Sequence, residues 1–420
     1  MNKRIAVSAA LAAVLALSAV GCGNTEGSAA PVSNEYSFKE ANIETAPDFN
    51  SAAADFSAEL FKSICSEDIK AGRNAFASPE SVMLALGLAA NGAGGDTLAQ
   101  FEQVMGKGMK LEDINTGLSG LITKARTEKN VEFDIANSIW VKNSDQITLK
   151  KSYAELCKER FDADSFLEPF DDGTVEKLNS WVKDKTKGMI DRIKDRFEAD
   201  EVAVLMNAVA FDGKWSVPFD ENRVTGTVFH SADGKEQECK MMHITEHTYI
   251  SDENAVGFVK PYEGDRYAFM ALLPNENTSL ADYVQTLTGE KLLSLYNSRQ
   301  EQQVITALPK FSFDWGGSIA ESLKSMGLDK AFAPTADFTN MADTSTGQLY
   351  IGDVVHKTHI EVNSEGTKAA AVTEIELYCG GAMNLDEVKT VTLDRPFLFS
   401  IIDTETGLPV FMGAVSSIEK

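Results

Sequence analysis

The 420-residue chain is poor in cysteine, histidine and cations. It holds five cysteines and five histidines, and no two cysteines form a C-x-x-C pair, so their spacing indicates neither a zinc site nor a redox motif. Five cysteines are also too few for a disulfide-dense secreted scaffold. The 63 acidic residues outnumber the 39 basic ones, and a net charge of −24 repels the phosphates of DNA and RNA. These shortages exclude a nucleic-acid-binding protein and predict mostly free thiols.

Apolar residues make up 43% of the chain, which is enough for a folded core. Residues 50–69 show helical apolar spacing, residues 131–143 alternate as a strand does, and residues 397–402 are typical of a buried strand. The spacing also predicts a helix over residues 174–197. Helices and strands mix without a βαβ rhythm or an internal repeat. The pattern predicts an α+β fold in a single domain over residues 50–420.

The N-terminus has the pattern of a secretion signal. Two cations precede an apolar stretch at residues 5–20 that is too short to cross a bilayer as a helix, which predicts a cleaved signal peptide at residues 1–21. The junction resembles a bacterial lipobox, in which the sulfur of Cys22 carries lipid. Small polar residues then predict a flexible tether over residues 22–49. We expect a secreted domain at the extracellular face of a bacterial envelope, in contact with the membrane through this anchor only; a plain signal peptide with an incidental cysteine is the alternative.

One short segment resembles a metal-binding motif. His243, Glu246 and His247 match the H-x-x-E-H pattern of one group of zinc peptidases, in which both histidines share a helix face. The surrounding β-branched residues predict a strand instead, where residues four apart lie about 13 Å from each other and cannot share one metal ion. The chain also has no G-x-S-x-G nucleophile elbow. We expect no metal, no cofactor and no catalytic residue, and hence no enzyme.

A segment near the C-terminus is patterned for a sheet but ends in a loop. Over residues 367–378 the charged side chains fall on one face only, the alternation that a half-buried strand requires. The start of this segment is rich in small residues that could slip between other strands, and its end runs into a glycine-rich tip at residues 379–384. The segment therefore has two possible locations, in a sheet or in an exposed loop. An ordinary surface hairpin fits the same pattern.

Eleven short motifs occur along the chain, and both their residues and their order match those of a known protein family. They stand at residues 74–79, 81, 89–93, 179–181, 186–190, 205–215, 308–311, 356–357, 365–371, 394–397 and 411–413. Together they resemble the serpins, a family of serine protease inhibitors, over residues 50–417. The resemblance implies the serpin fold: a large mixed β-sheet, further sheets, about eight to nine helices and an exposed reactive-centre loop at residues 365–394.

The resemblance also implies an irreversible suicide-substrate inhibitor. A serpin offers its loop as bait, the protease serine forms an acyl-enzyme with it, and the cut loop inserts as a new strand into the main sheet. The protease is carried along, and its active site distorts before water completes hydrolysis. A non-inhibitory serpin acting as a binding module stays open as an alternative, and its usual mark is a bulky or charged hinge.

The resemblance further implies which residues form the site. The hinge that enters the sheet corresponds to Glu365, Gly366, Thr367, Ala369, Ala370 and Ala371. The polar cluster beneath the opening sheet, with the point where the loop first enters, corresponds to Ser78, Ser81, Asn207, His356 and Trp215. Thr367 would be the first side chain to enter the core, where a hydroxyl is tolerated and a charge is not. Lys368 departs from the family's usual Glu but is expected to point outward.

The position of the scissile bond follows from counting along the loop. Counted from the hinge, the bond lies near Gly380 and Gly381; counted back from Arg395, it lies near residues 385–386. The hinge count is preferred because the sheet limits the length of an inserted strand. The wider window includes Tyr378, Cys379, Ala382 and Met383. These residues are small or apolar and include no Arg or Lys, which favours elastase-like proteases first and chymotrypsin- or subtilisin-like proteases second.

We expect a monomer.

Overall fold

A computed structural model describes residues 31–198, 201–345, 349–367 and 388–418. The signal sequence, Cys22, Lys368, the hinge residues Ala369, Ala370 and Ala371, and the predicted scissile window lie outside the described residues. Within the described part of the chain, helices and two large sheets combine without a βαβ repeat. The structure therefore has the α+β class that the sequence predicts.

The main sheet has six strands and frames the site described below. Their spatial order is β11 (Phe311–Ser318), β13 (Val355–Val362), β14 (Gly366–Thr367), β5 (Ala203–Lys214), β2 (Glu132–Lys142) and β4 (Asp164–Glu168). Neighbours are antiparallel except β2 and β4, which are parallel. The strand predicted over residues 131–143 is confirmed as β2. The two-residue strand β14 sits between the long strands β13 and β5.

A second sheet of nine strands packs against the main sheet. Its order is β1 (Ala75–Ala77), β17 (Pro409–Val415), β16 (Phe397–Asp403), β9 (Tyr267–Pro274), β8 (Ala255–Pro261), β7 (Glu236–Ser251), β10 (Gln300–Pro309) and β15 (Lys389–Thr392), with β6 (Val224–His230) paired to β7. The strands β3 (Ile147–Leu149) and β12 (Ala342–Thr344) form a separate pair. Aromatic rings fill the space between the large sheets: Phe211 of the main sheet meets Phe411 at 6.2 Å between ring centroids.

The described residues contain nine α-helices. They are α1 (Pro47–Lys70), α2 (Pro79–Gly92), α3 (Gly95–Gly106), α4 (Leu111–Thr127), α5 (Lys151–Phe161), α6 (Asp172–Lys185), α7 (Leu280–Gln285), α8 (Gly289–Asn297) and α9 (Ala320–Leu323). Helix α1 confirms the helical spacing seen at residues 50–69. In the part of the chain that the structure covers, no helix is long and apolar enough to cross a membrane.

The helix predicted over residues 174–197 is shorter in the structure, where it is α6. Beyond its end, Lys187 and Gly188 have φ of 49° and 80°, a left-handed backbone through which a helix does not continue. The apolar residues that extended the prediction, Met189 and Ile193, lie in an irregular segment, where Met189 is partly buried and Ile193 is buried. Their spacing reflects burial and not a helix.

The predicted tether differs from the structure in its described part. Residues 31–46 are joined to the domain by hydrogen bonds instead of forming a flexible link, and residues 47–49 begin α1. Ser33 is fully buried, its Oγ accepts the Ser165 N–H at 3.0 Å, and the Val32 N–H donates to the Ser165 carbonyl at 2.8 Å. Ser165 lies in β4, the edge strand of the main sheet, whose outer backbone groups need partners. The N-terminal segment supplies them, which its composition alone does not reveal.

Candidate functional site

The hinge segment forms a tight turn at the end of β13. Asn363 closes this turn, because its Oδ1 accepts the N–H groups of Glu365 and Gly366 at 3.0 and 3.2 Å. The chain returns as β14, which pairs with β5 on one side and β13 on the other. A Cβ at Gly366 would lie 2.2 Å from the Gly213 carbonyl oxygen, so the position requires glycine. The first two residues of the hinge strand thus occupy the slot, which we define as the space between β13 and β5.

Thr367, the second residue of β14, has a buried side chain with a defined partner. It is 3% exposed, and its Oγ1 lies 2.6 Å from the Tyr262 hydroxyl. Burial raises the pKa of Tyr262, so the phenol keeps its proton and completes the bond between the two hydroxyls. No motif in the sequence marks Tyr262, which lies in a different part of the chain from the hinge.

Trp215 follows β5 and is buried beside the hinge turn. Its backbone N–H donates to the Glu365 carbonyl at 2.9 Å, and its indole Nε1 donates to the Asn363 carbonyl at 3.0 Å. Its ring stacks on Tyr262 with centroids 4.6 Å apart. Trp215 therefore binds two carbonyls of the turn and packs against Tyr262, the residue that contacts Thr367 in the slot.

The structure brings Ser78, Ser81, Asn207 and His356 together beneath the slot. Ser78 caps α2, since its Oγ accepts the Ser81 N–H at 3.2 Å. The Ser78 N–H donates to Nε2 of His356 in β13 at 3.0 Å, and the Ser81 hydroxyl donates to Oδ1 of Asn207 in β5. The first turn of α2 therefore ties together the two strands that a new strand must separate.

Burial also determines the charge state of this cluster. It lowers the pKa of His356 to about 4, so the ring is neutral at pH 7 and Nε2 can accept the Ser78 N–H. Asn137 of β2 extends the cluster: Asn207 Nδ2 donates to its Oδ1 at 2.7 Å, and its own Nδ2 donates to the Phe161 carbonyl at 2.7 Å. Sequence reasoning missed Asn137, although an asparagine amid the apolar residues of a predicted strand is a usable signal.

In the residues that the structure covers, β13 and β5 are joined through β14 and have no direct pairing further along. A narrow cleft between them is lined by Val209 and Phe211 of β5 and Ile360 of β13. An open cavity of about 460 Å³ adjoins residues 357–359 of β13, and Trp315 and His359 are in its lining.

The H-x-x-E-H segment lies in the nine-stranded sheet and not at the slot. His243 and His247 are in β7, so the strand predicted there is confirmed. The Nε2 atom of His243 lies 2.9 Å from the Thr225 hydroxyl. Over the described ranges, no group of three or more His, Cys, Asp or Glu side chains is placed to hold a metal ion.

Comparison with known protein families assigns the chain to one family. The family model described as Serpin (serine protease inhibitor) matches residues 51–418. The chain is a serpin. Serpins are in general inhibitors of serine proteases, and the serpin fold expected from the sequence is confirmed, with its large mixed sheet, further sheets and helices.

Solved serpins match along most of the chain. The thermophilic serpin tengpin in its native state gives a TM-score of 0.85 at 39% identity, covering 92% of this chain and 99% of that chain. Tengpin in its latent state gives 0.79 at 38% identity, covering 90% and 100%. Human thyroxine-binding globulin gives 0.78 at 23% identity, covering 89% and 99%, which shows a shared fold alone. A curated relative, a serine protease inhibitor of Cyanea capillata, is 31% identical over 83% of this chain and 93% of its own length.

Proposed function

We propose that this serpin is an irreversible, suicide-substrate inhibitor of elastase-like serine proteases. The observation that carries the proposal is β14: Gly366 and Thr367 already lie between β13 and β5. The hinge strand has thus begun to enter the sheet, and no bulky or charged side chain stands at these two positions. The residues that continue the strand, Ala369, Ala370 and Ala371, are small enough to follow.

The mechanism uses the protein as a substrate that is consumed once. The protease serine attacks the carbonyl of the scissile bond, an ester forms, the peptide bond breaks, and the new amine leaves with the C-terminal fragment. The freed strand then continues into the slot. About 15 inserted residues at about 3.3 Å each move the attached protease roughly 50 Å. The distorted protease no longer hydrolyses the ester, so the adduct persists.

Sequence alternation supports insertion of the whole strand. Residues 367, 369, 371, 373, 375 and 377 carry no charge, and the charges of the segment fall on the intervening positions. With Thr367 facing the core, the uncharged set would enter the core and the charged set would face solvent. Lys368 then points outward and does not oppose insertion.

The protease class follows from the loop sequence. The hinge count places the bond near Gly380 and Gly381, in a window of small or apolar residues. A protease with a small specificity pocket accepts such residues, whereas a trypsin-like enzyme requires Arg or Lys. Chymotrypsin- or subtilisin-like cleavage after Tyr378 or Met383 is the second choice.

The test is to mix residues 22–420 with a neutrophil-type elastase and analyse the products on denaturing gels. We expect an SDS-stable adduct, with a released C-terminal peptide that starts between residues 379 and 384 by mass spectrometry. Clean cleavage without an adduct, repeated with chymotrypsin- and subtilisin-like proteases, would contradict inhibition and favour the alternative, a non-inhibitory binding module. Among the proteins of this fold, thyroxine-binding globulin is named for such binding.

We also propose that Cys22 carries lipid and holds the domain at the extracellular face of a bacterial envelope. Residues 1–21 have the pattern of a signal peptide, and a cysteine follows them directly. Mass spectrometry of the membrane fraction should find Cys22 as a lipidated N-terminal residue, and the Cys22→Ala variant should leave that fraction. A free, unmodified Cys22 in secreted protein would contradict the anchor.

A further inference from the structure

A buried lysine, Lys260 of β8, lies beside the segment that follows β5. The Lys260 side chain is 1% exposed, and its Nζ lies 2.7 Å from Oε1 of Glu246. Burial lowers the pKa of Lys260, and the charge of Glu246 opposes this shift. An ammonium taken out of water is stabilised only when its donors are satisfied. The other partners of Nζ therefore show what the pair holds in place.

Those partners belong to residues 215–219, which we call the strap. Nζ of Lys260 donates to the Val217 carbonyl at 2.7 Å. It also lies 5.3 Å from the centroid of the Trp215 ring and 4.6 Å from that of Phe219, within the range of a cation–π interaction. The Val217 side chain is 58% exposed, so this residue meets the interior through its carbonyl.

The strap in turn holds the hinge turn. The N–H groups of Trp215 and Phe219 donate to the carbonyls of Glu365 and Ser364 at 2.9 and 2.8 Å, and the Trp215 indole takes the third carbonyl, that of Asn363. Three consecutive carbonyls of the turn therefore depend on the shape of a five-residue segment. Lys260 holds the middle of that segment and touches both of its aromatic ends.

We propose that Lys260 is a positioning residue for loop insertion: it shapes the strap so that the hinge turn keeps Gly366 and Thr367 in the slot as the start of the new strand. This role rests on the proposed inhibitory function. Without Lys260 the strap loosens and the two hinge residues leave the slot more readily. A synthetic strand then enters the empty slot faster. The protein's own cut loop, which must start its strand again, enters more slowly.

The test uses the variant Lys260→Met with Glu246→Met, which removes both charges and leaves no unpaired ion. One readout needs no protease: uptake of an acetylated peptide with the sequence of residues 367–380 by the intact protein, followed by native mass spectrometry. The other is the fraction of protein cleaved without adduct by elastase. A hydrogen bond from a charged donor corresponds to roughly ten- to a hundredfold in an equilibrium constant. Taking the lower end of this range, we expect peptide uptake to quicken and the cleaved fraction to rise by up to about tenfold.

Two variants separate positioning from general stability. Glu246→Gln keeps the bond from Lys260 to the Val217 carbonyl, and we expect it to change both readouts less than the methionine pair. Leu292→Ala in α8 creates a cavity in a core cluster that contains neither Lys260 nor the strap, so it lowers the unfolding midpoint with little effect on either readout. If the methionine pair does not fold, Lys260→Arg, which moves the donors relative to the Val217 carbonyl, must shift both readouts in the same directions.

The proposal is overturned if the methionine pair, or Lys260→Arg in its place, changes peptide uptake and partitioning no more than Leu292→Ala does. Absence of any adduct from the unmodified protein would instead contradict the proposed inhibitory function. Peptide uptake decides the role of Lys260 in that case as well, because it requires no protease.

Discussion

Thr367 and Tyr262 join their hydroxyl groups at 2.6 Å inside the slot, so the first hinge side chain that enters the core meets a polar partner there. A hydroxyl buried without such a partner would cost about 1–3 kcal/mol. The hydrogen bond between them therefore stabilises the inserted position of the hinge. A charge at residue 367 should stop insertion, whereas loss of this hydrogen bond should only weaken it.

Thr367→Arg should convert the inhibitor into a substrate. A guanidinium at this buried position would replace a hydroxyl whose partner is the Tyr262 phenol, and leaving a charge unpaired in the interior costs several kcal/mol. We expect elastase to cleave the variant without forming an SDS-stable adduct, while Thr367→Ser forms it as the unmodified protein does. Adduct formation at normal stoichiometry by Thr367→Arg would show that the hinge does not insert at this residue.

Tyr262→Phe should weaken the hinge without abolishing inhibition. The change leaves Thr367 without its partner and costs about 1 kcal/mol, which raises the fraction of protein cleaved without adduct. Tyr283→Phe is a matched control because it removes another buried phenol bond, the one to Asp252 at 2.9 Å. Both variants should unfold at lower urea concentration. If Tyr283→Phe alters partitioning as much as Tyr262→Phe does, the effect is one of stability alone.

His356 should make the protein less stable in mild acid. Its pKa is lowered from 6.5 to about 4 in the folded protein, so on acidification the unfolded chain takes up the proton first. The stability due to the neutral ring is complete above pH 6.5 and is lost between pH 6.5 and 4, by about 3 kcal/mol. Urea unfolding midpoints across this range should fall less for His356→Gln than for the unmodified protein. His359→Gln, at a more exposed histidine, should retain the fall.

Glu80 should make the protein less stable as the pH rises from 4.5 to 8. Burial, together with the charge of Asp403 and against that of Lys124, raises its pKa from 4.5 to about 8. As pH rises, the unfolded chain releases this proton first, so stability is lost between pH 4.5 and 8. Glu80→Gln cannot ionise and should exceed the unmodified protein at pH 8 by on the order of 4 kcal/mol. The two should agree near pH 4.5, and Glu59→Gln, at an exposed position, should show no such difference.

Local patterns gave good predictions where neighbours in sequence are also neighbours in space. Helix α1 and strands β2 and β7 follow from apolar spacing and β-branched content, which act within one element. The same reasoning extended α6 too far, because Met189 and Ile193 pack in an irregular segment outside any helix. It also assigned residues 31–49 to a flexible tether. This segment is held by hydrogen bonds to the backbone N–H and carbonyl of Ser165, which lies in a strand more than a hundred residues away.

The sequence by itself determined the family, the order of its motifs, and a hinge segment with glycine at residue 366 and uncharged residues on one face. These are properties of residue type and spacing, and they need no coordinates. Only the tertiary structure decided that Tyr262 receives Thr367, that Asn137 extends the cluster at Asn207, and that Lys260 reaches the Val217 carbonyl. Each of these contacts joins side chains from separate strands or loops, and their distances depend on how the sheets twist and pack, which no local pattern encodes.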